Sequence, residues 1–182
     1  EFRRVLFRST AVFDPSPMIA TVDDDVFRTM LAYRPIWSCN ECEATLIAQR
    51  LAALDSGDSC DCKVSRDMLQ EIESANVNEE TVAWLCDRLQ SPVIVRVGAD
   101  GAWSAIPGDE VLRIPGFPMK AVDTNGAGDC HAGVLCALLC EGVPLEDAVR
   151  CANAASALAV TRSGPATCPD RKEVERLLGR AF

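Results

Sequence analysis

The sequence lacks the short motifs and the charge balance that mark several large functional classes. Gly-x-x-x-x-Gly-Lys-[Ser/Thr] does not occur in its 182 residues, which excludes a P-loop NTPase. Gly-x-Ser-x-Gly is also missing, and the single histidine, His131, is too close in sequence to Asp129 for a Ser-His-Asp hydrolase. Basic residues number 18 against 27 acidic ones, a net charge of −9, so the positive charge that nucleic-acid binding requires is not available.

Long apolar runs and a leader pattern are missing as well. The longest fully apolar helical stretch, about residues 134–140, is too short to span a bilayer, and no signal-peptide pattern occurs. We therefore expect a cytoplasmic protein with no membrane partner. The chain also lacks an initiator Met, and its first nine residues are basic although the chain is acidic. Residues 1–10 are expected to be a non-native or irregular segment, with a natural strand as the alternative, and residues 11–182 one domain.

Cysteine, by contrast, is abundant, with ten residues. Four of them fall in apolar helical patterns and are expected to be small core residues: Cys86, Cys136, Cys140 and Cys151. Four others form two close pairs that could supply thiolates to zinc: Cys39 with Cys42, and Cys60 with Cys62. The separation of these pairs is not that of a standard zinc finger, so a zinc-binding regulator stays an alternative to the main hypothesis.

Strand-like and helix-like segments alternate along the chain. Apolar and β-branched runs predict strands at about residues 11–13, 35–37 and 92–97, and a hairpin with strands at 102–106 and 111–114. Apolar periodicity predicts helices at about 23–33, 41–54, 79–90, 127–141, 145–161 and 170–179, with a loop at 55–66. This order is typical of an α/β fold in which helices cover both faces of a mostly parallel sheet.

The most informative segment is the run Val-Asp-Thr-Asn-Gly-Ala-Gly-Asp at residues 122–129, directly before an apolar helix. Small residues there allow a sharp turn that exposes backbone N–H groups at a helix N-terminus, which favours anion binding. An aspartate at such a site would repel the anion, so Asp129 is better explained as a base that takes a proton from an attacking hydroxyl. These residues indicate phosphoryl transfer.

The same run resembles the C-terminal signature Asp-Thr-x-Gly-Ala-Gly-Asp of the ribokinase-like (PfkB) family of carbohydrate and nucleoside kinases. Four further segments resemble family motifs in the expected order: Asp-Pro-Ser-Pro at 14–17, Asn-x-x-Glu at 40–43, the strand and Gly-x-x-Gly turn at 93–101, and the closing helix and loop at 153–165. The resemblance covers about residues 11–178. A single glycine motif would carry little weight, whereas five motifs in order are specific.

The resemblance implies a role for each matching position. Asp129 is the catalytic base, and the backbone of Gly126, Ala127 and Gly128 forms the anion hole for the γ-phosphate. The structural alternatives are a first-turn acid and an ordinary glycine turn. Cofactor-binding positions are Arg96, Gly98, Gly101 and Asn153, although Arg96 stands where family members often carry Thr. His131 replaces an aromatic residue of the family and is expected to pack as that residue does.

Metal positions also follow from the resemblance. Asn40 and Glu43 would help to hold Mg²⁺, mainly through water, while a helix cap formed by the same two residues is a compatible structural role. Asp123, with carbonyl groups near residues 163–166, could bind the monovalent cation (K⁺) that some members use. Asn125 occupies a variable position of the signature and is assigned no role.

The resulting prediction is a three-layer ribokinase-like α/β fold from which the N-terminal part and the lid are missing. The intact protein would use ATP and Mg²⁺ to phosphorylate a hydroxyl of a sugar or nucleoside, with no nucleic-acid partner. A homodimer of the full-length protein is a further expectation. The alternative is a catalytically inert fragment that binds a nucleotide without turnover.

Overall fold

Five strands and six helices make up the part of the chain that the computed structural model describes, residues 10–56 and 77–182. The strands are β1 (Val12–Phe13), β2 (Ile36–Asn40), β3 (Val93–Arg96), β4 (Gly101–Ala105) and β5 (Leu112–Pro115). The helices are α1 (Asp24–Tyr33), α2 (Glu41–Ser56), α3 (Glu79–Leu89), α4 (Ala127–Cys140), α5 (Leu145–Ala159) and α6 (Arg171–Leu178). Short 3₁₀ turns occupy Pro17–Ala20 and Gly98–Asp100.

The strands form one sheet in the order β1-β2-β3-β4-β5. β1, β2 and β3 are parallel, with Trp37 opposite Val93, whereas β4 is antiparallel to both of its neighbours. Four of the five strands therefore run in one direction, which confirms the predicted mostly parallel sheet. The predicted hairpin is also confirmed, with β4 and β5 as its arms.

Helices cover both faces of the sheet, and each face has its own core. Alternation along β3 separates the two cores, because Val93 and Val95 contribute to one and Ile94 to the other. The first core includes Phe27 of α1 and Leu85 of α3, while α4, α5 and α6 contribute to the second. All of these strand residues are fully buried, as the β-branched run predicts. The three-layer α/β arrangement predicted from the sequence is confirmed.

Two predicted boundaries need correction. β2 continues to Asn40 rather than ending near residue 37, because Ser38 and Cys39 are small enough to be fully buried between neighbouring strands. The Cys39 thiol donates a hydrogen bond to the carbonyl of Ile94. Helix α2 continues to Ser56, into the predicted loop at 55–66, most of which lies outside the described residues.

Two cysteines predicted to lie in the core are exposed. Cys136 and Cys140 lie on the open side of α4, whereas Cys86 and Cys151 are buried as predicted. The reason is that α4 is apolar over most of its circumference, so periodicity does not identify its inner face. In the described part of the chain, no helix has both the length and the apolar character needed to cross a membrane.

Candidate active site

A cavity of about 510 Å³ lies at the carboxyl ends of the parallel strands, where open α/β sheets usually bind ligands. Segments far apart in sequence contribute to it: the ends of β2 and β3, the loop after β5, the start of α4 and the middle of α5. Seven predicted site residues line this cavity: Asn40, Arg96, Gly98, Gly101, Ala127, Gly128 and Asn153. The other four are Glu43, Asp123, Gly126 and Asp129, each within two residues of a lining residue in sequence.

The glycine turn forms the start of α4. Gly126 adopts a left-handed φ of 74°, and a Cβ atom there would lie 2.1 Å from the carbonyl oxygen of Pro165, so only glycine fits. No described side chain caps this helix, and the N–H groups of Gly128 and Asp129 make no hydrogen bond within the described residues. These N–H groups and the helix dipole can therefore hold an anion, so we call residues 126–129 the anion turn.

Asp129 follows this turn directly, in the first turn of α4. Its side chain is exposed, and its carboxylate has no hydrogen bond or ion pair with any residue that the structure describes. A carboxylate with this freedom can accept a proton from a hydroxyl that approaches the anion site. The same position also allows the modest stabilisation that a first-turn acid gives a helix.

Asp123 connects the glycine turn to the loop before α6. One carboxylate oxygen accepts a hydrogen bond from the N–H of Asn125 at 3.0 Å, and the other accepts one from the N–H of Gly164, also at 3.0 Å. These two N–H donors lower the pKa of the Asp123 carboxyl below its usual range. The residue thus fixes both segments, and its oxygens keep further lone pairs for a cation.

Asn40 and Glu43 cap the start of α2 reciprocally. The Glu43 N–H donates to the Asn40 side-chain oxygen, and the Asn40 N–H donates to Oε2 of Glu43, both at 2.8 Å. Burial raises the pKa of the Glu43 carboxyl, while the Asn40 N–H and the charge of Arg96 oppose that rise. The pair therefore has the predicted structural role, and Asn40 reaches the cavity wall as well.

Arg96, at the end of β3, is held by side chains that lie in β2 or follow β1 and β2. Nη1 donates to Oδ2 of Asp14 and to Oγ of Ser38, each at 2.7 Å, and Nη2 lies 3.4 Å from Oε2 of Glu43. The guanidinium also lies beside the anion turn, because a Cβ atom on Gly128 would be 3.8 Å from Nη2. A fixed positive charge thus faces the first turn of α4.

The cavity wall on α5 contains Asn153, which is buried. Its amide nitrogen donates to the carbonyls of Ile114 and Pro115, so its oxygen is the acceptor toward Nε2 of His131 at 3.1 Å. Nε2 therefore carries the proton, and the buried Nδ1 has no partner among the described residues. Burial lowers the pKa of His131 to about 4, so the ring is neutral near pH 7. Asn153 is therefore a buried residue of the cavity wall rather than an exposed residue of the helix surface.

Three of the cavity residues to which the sequence analysis assigned no role are worth noting. Phe117 and Met119, from the loop after β5, give the cavity an apolar wall, and Ser156 donates a hydrogen bond to the carbonyl of Ala127 at 3.0 Å. The available signal was weak: two large apolar residues in a short proline-rich loop, and a serine one turn after Asn153.

The zinc alternative gains no support from the described residues, which contain no group of three or more His, Cys, Asp or Glu that could hold a metal ion. Cys39 is buried and bonded to a backbone carbonyl. Cys60 and Cys62 lie outside the described residues, as do residues 1–9, so both of those predictions stay predictions.

Comparison with known proteins gives consistent matches. Residues 13–172 match the pfkB family of carbohydrate kinases. An uncharacterized sugar kinase of Escherichia coli K12, YegV, is 33% identical over 165 residues, 91% of this chain and 44% of the relative. The crystal structure of ribokinase from Thermotoga maritima has a TM-score of 0.70 at 28% identity, over 97% of this chain and 51% of that one. Ribokinase from Cryptococcus neoformans in complex with ADP has a TM-score of 0.66 at 28% identity, over 92% and 51%.

The chain thus spans about half the length of the relatives it matches. Over that half, both the ribokinase-like fold and the family match extend through nearly all the motifs recognised in the sequence. The chain belongs to the pfkB family of carbohydrate kinases.

Proposed function

We propose that the complete protein transfers the γ-phosphoryl group of ATP to a hydroxyl group of a sugar or nucleoside. The observation that carries this proposal is the exposed Asp129, directly after the glycine turn at the edge of the cavity; within the described residues its carboxylate has no partner and no side chain caps the turn. The sugar kinase YegV and the ADP-bound ribokinase from Cryptococcus neoformans support the two halves of the reaction by similarity.

The cavity provides distinct surroundings for the two ends of a nucleotide. Its apolar wall, with Phe117 and Met119, would pack against the base, and the glycine turn would receive the phosphates. Gly98 and Gly101 would let the backbone approach the nucleotide closely; Gly101 has no room for a side chain, since a Cβ atom would lie 2.2 Å from the Ile114 carbonyl oxygen. Asn153 would shape the wall rather than offer free donors, because its amide is already bonded internally.

The chemistry would be carried out by the N-terminal turn of α4. The N–H groups of Gly126 and Gly128 would stabilise negative charge on the transferred phosphoryl group, and Asp129 would accept the proton of the attacking hydroxyl. The Ala127 N–H, predicted to share this role, already donates to the Thr124 carbonyl at 3.3 Å. The guanidinium of Arg96 lies close enough to Gly128 to add positive charge to the same site. Phosphoryl transfer needs mainly this positioning and charge stabilisation.

The oxygen groups near Arg96 suit Mg²⁺, which prefers carboxylate and carbonyl ligands and keeps several waters. Asn40 and Glu43 would hold it, in large part through water, since each already forms a helix-capping hydrogen bond. Bound Mg²⁺ would neutralise charge on the phosphates. A monovalent cation near Asp123 and residues 163–166 stays a prediction, as does a homodimer of the complete protein.

The second candidate is nucleotide binding without turnover by the 182-residue chain alone. Two observations favour it: the chain spans only about half of its relatives, and the described cavity already contains the anion turn and the apolar wall. Binding of Mg-ATP by this chain would then occur without phosphorylation of any acceptor.

The test of the base is Asp129→Asn in the complete protein. Mg-ATP affinity should stay nearly unchanged, while turnover with a sugar or nucleoside acceptor should fall by about 10²- to 10⁴-fold. Asp25→Asn is the matched control, because Asp25 is also an exposed acid in the first turn of a helix but lies on α1, away from the cavity. Near-normal turnover of the Asp129 variant would end its assignment as the base.

A further inference from the structure

Two cysteines from separate segments meet beside the candidate active site. Cys130 follows Asp129 in the first turn of α4, and Cys168 belongs to the loop before α6. Their sulfur atoms are 3.0 Å apart, with the Cys130 thiol donating to Cys168. Cys130 is only 7% exposed, whereas Cys168 is exposed. The pair thus combines one thiol that reagents can reach with one that they reach poorly.

The surroundings assign different roles to the two thiols. Burial raises the pKa of Cys130, as does its contact with Cys168, while the positive charge of Arg162 opposes the rise. Arg162 itself is fixed by an ion pair with Glu173 and a hydrogen bond to the carbonyl of Thr167. The exposed Cys168 is consequently the thiol that meets an oxidant first, and Cys130 is the neighbour placed to react second.

We propose that Cys130 and Cys168 are a reversible modification site, which forms a disulfide by exchange with a small-molecule disulfide of the glutathione class. The Cys168 thiolate attacks one sulfur of the oxidised molecule RSSR, and the resulting mixed disulfide releases one RS⁻, which takes up a proton. Cys130 then loses its proton to solvent and attacks the Cys168 sulfur, which releases the second RS⁻. Two protein thiols are oxidised and one RSSR is reduced to two RSH.

The bond would join the first turn of α4 to the loop before α6, and this loop already contacts the anion turn. Gly164 donates its N–H to Asp123, and the Pro165 carbonyl packs against Gly126. Because an S–S bond is about 2.05 Å long, the sulfur atoms must approach by about 1 Å. A displacement of that size in the first turn of α4 would disturb the anion turn, so we expect the disulfide to weaken Mg-ATP binding about tenfold. This consequence rests on the proposed function, but the formation of the bond does not.

The experiment uses the 182-residue chain in buffers of increasing oxidised to reduced glutathione ratio, followed by alkylation, trypsin digestion and mass spectrometry. The expected product links peptide 121–150 to peptide 163–171. Because the first peptide also contains Cys136 and Cys140, the same experiment is run on the Cys136→Ser/Cys140→Ser double variant, which changes two exposed residues. The linkage should persist in that variant and disappear in Cys168→Ser. Oxidation in urea shows the pairing expected without the fold.

A linked peptide in the native protein and in the double variant, about tenfold more abundant than in urea, supports the site. A Cys168 that carries only glutathione, or that pairs with Cys136 or Cys140, overturns it. Titration with Mg-ATP then compares the reduced and linked forms: equal affinities overturn the effect on binding. A reduced, folded chain that binds no Mg-ATP contradicts instead the nucleotide binding proposed for this part of the protein, whatever the linked peptide shows.

Discussion

Two arginines with little solvent exposure, Arg50 and Arg96, show how a similar charge can be structural in one region and available to a ligand in another. Arg50, on α2, donates to the carbonyls of Ile19 and Val22, pairs with Asp24 at 2.6 Å, and lies over the ring of Phe27. Arg50 thus links α2 to the segment before α1, beside the first core. It does not line the cavity.

Arg96 also has three acceptors, but none of them is a backbone carbonyl. Its partners are side chains, the carboxylates of Asp14 and Glu43 and the hydroxyl of Ser38, and its guanidinium also lines the cavity beside Gly128. The two backbone carbonyls hold the Arg50 guanidinium inside the fold. The side-chain acceptors of Arg96 lie at the edge of the cavity, so they fix its guanidinium where an incoming anion can reach it. We therefore expect the two positions to respond differently to substitution.

Arg50→Met should produce the largest loss of stability. It leaves two backbone carbonyls without donors and Asp24 without its partner, so the free energy of unfolding should fall by about 3 kcal/mol. Urea denaturation measures this change, with Arg28→Met, at an exposed position on α1, as the control. Mg-ATP affinity of the folded fraction should be unchanged. A loss no larger than that of the control would contradict the structural role.

Acidification should lower the free energy of unfolding, because the buried His131 near Arg96 takes up a proton more readily in the unfolded chain. Burial, followed by the charge of Arg96, lowers the pKa of this histidine from 6.5 to about 4. The unfolded chain binds the proton first, so stability is fully present above pH 6.5 and falls as the pH drops toward 4, by about 3 kcal/mol in total.

His131→Phe, which replaces the imidazole by an aromatic ring that does not titrate, should remove this part of the pH dependence. Urea denaturation of both proteins at several pH values between 4 and 7 measures the difference, and acidic groups common to both cancel. Equal pH slopes in the two proteins would show that His131 is not the titrating group.

Arg96→Thr should have the smallest effect of the three and should act mainly on the ligand. Loss of one charge beside the anion turn should weaken Mg-ATP binding about tenfold, or about 1.4 kcal/mol. Stability should fall less than in Arg50→Met, because the Glu43 carboxylate keeps the N–H of Asn40. Calorimetric titration checks the affinity; a variant that binds Mg-ATP as the parent does would remove Arg96 from the site.

The order of strands and helices could be predicted because the apolar patterns are strong and local. The last three helices begin and end within two residues of their predicted limits. Pairings across the sheet could not be predicted, because contacts such as Arg96 with Asp14 depend on the register of strands more than 80 residues apart. The same holds for Asn153 with His131: packing of the His131 ring was expected, but no pattern indicated that Asn153 is buried beside it.

The central claim is that the anion turn and the cavity bind Mg-ATP, and calorimetric titration of the 182-residue chain tests it most directly. The matched variants are Gly126→Ala, which places a Cβ atom against the Pro165 carbonyl, and Gly142→Ala, which also has a positive φ but lies in open space away from the cavity. The account predicts one-to-one binding by the parent and by Gly142→Ala, and its loss in Gly126→Ala. A folded parent chain that does not bind Mg-ATP, or equal binding by both variants, would contradict it.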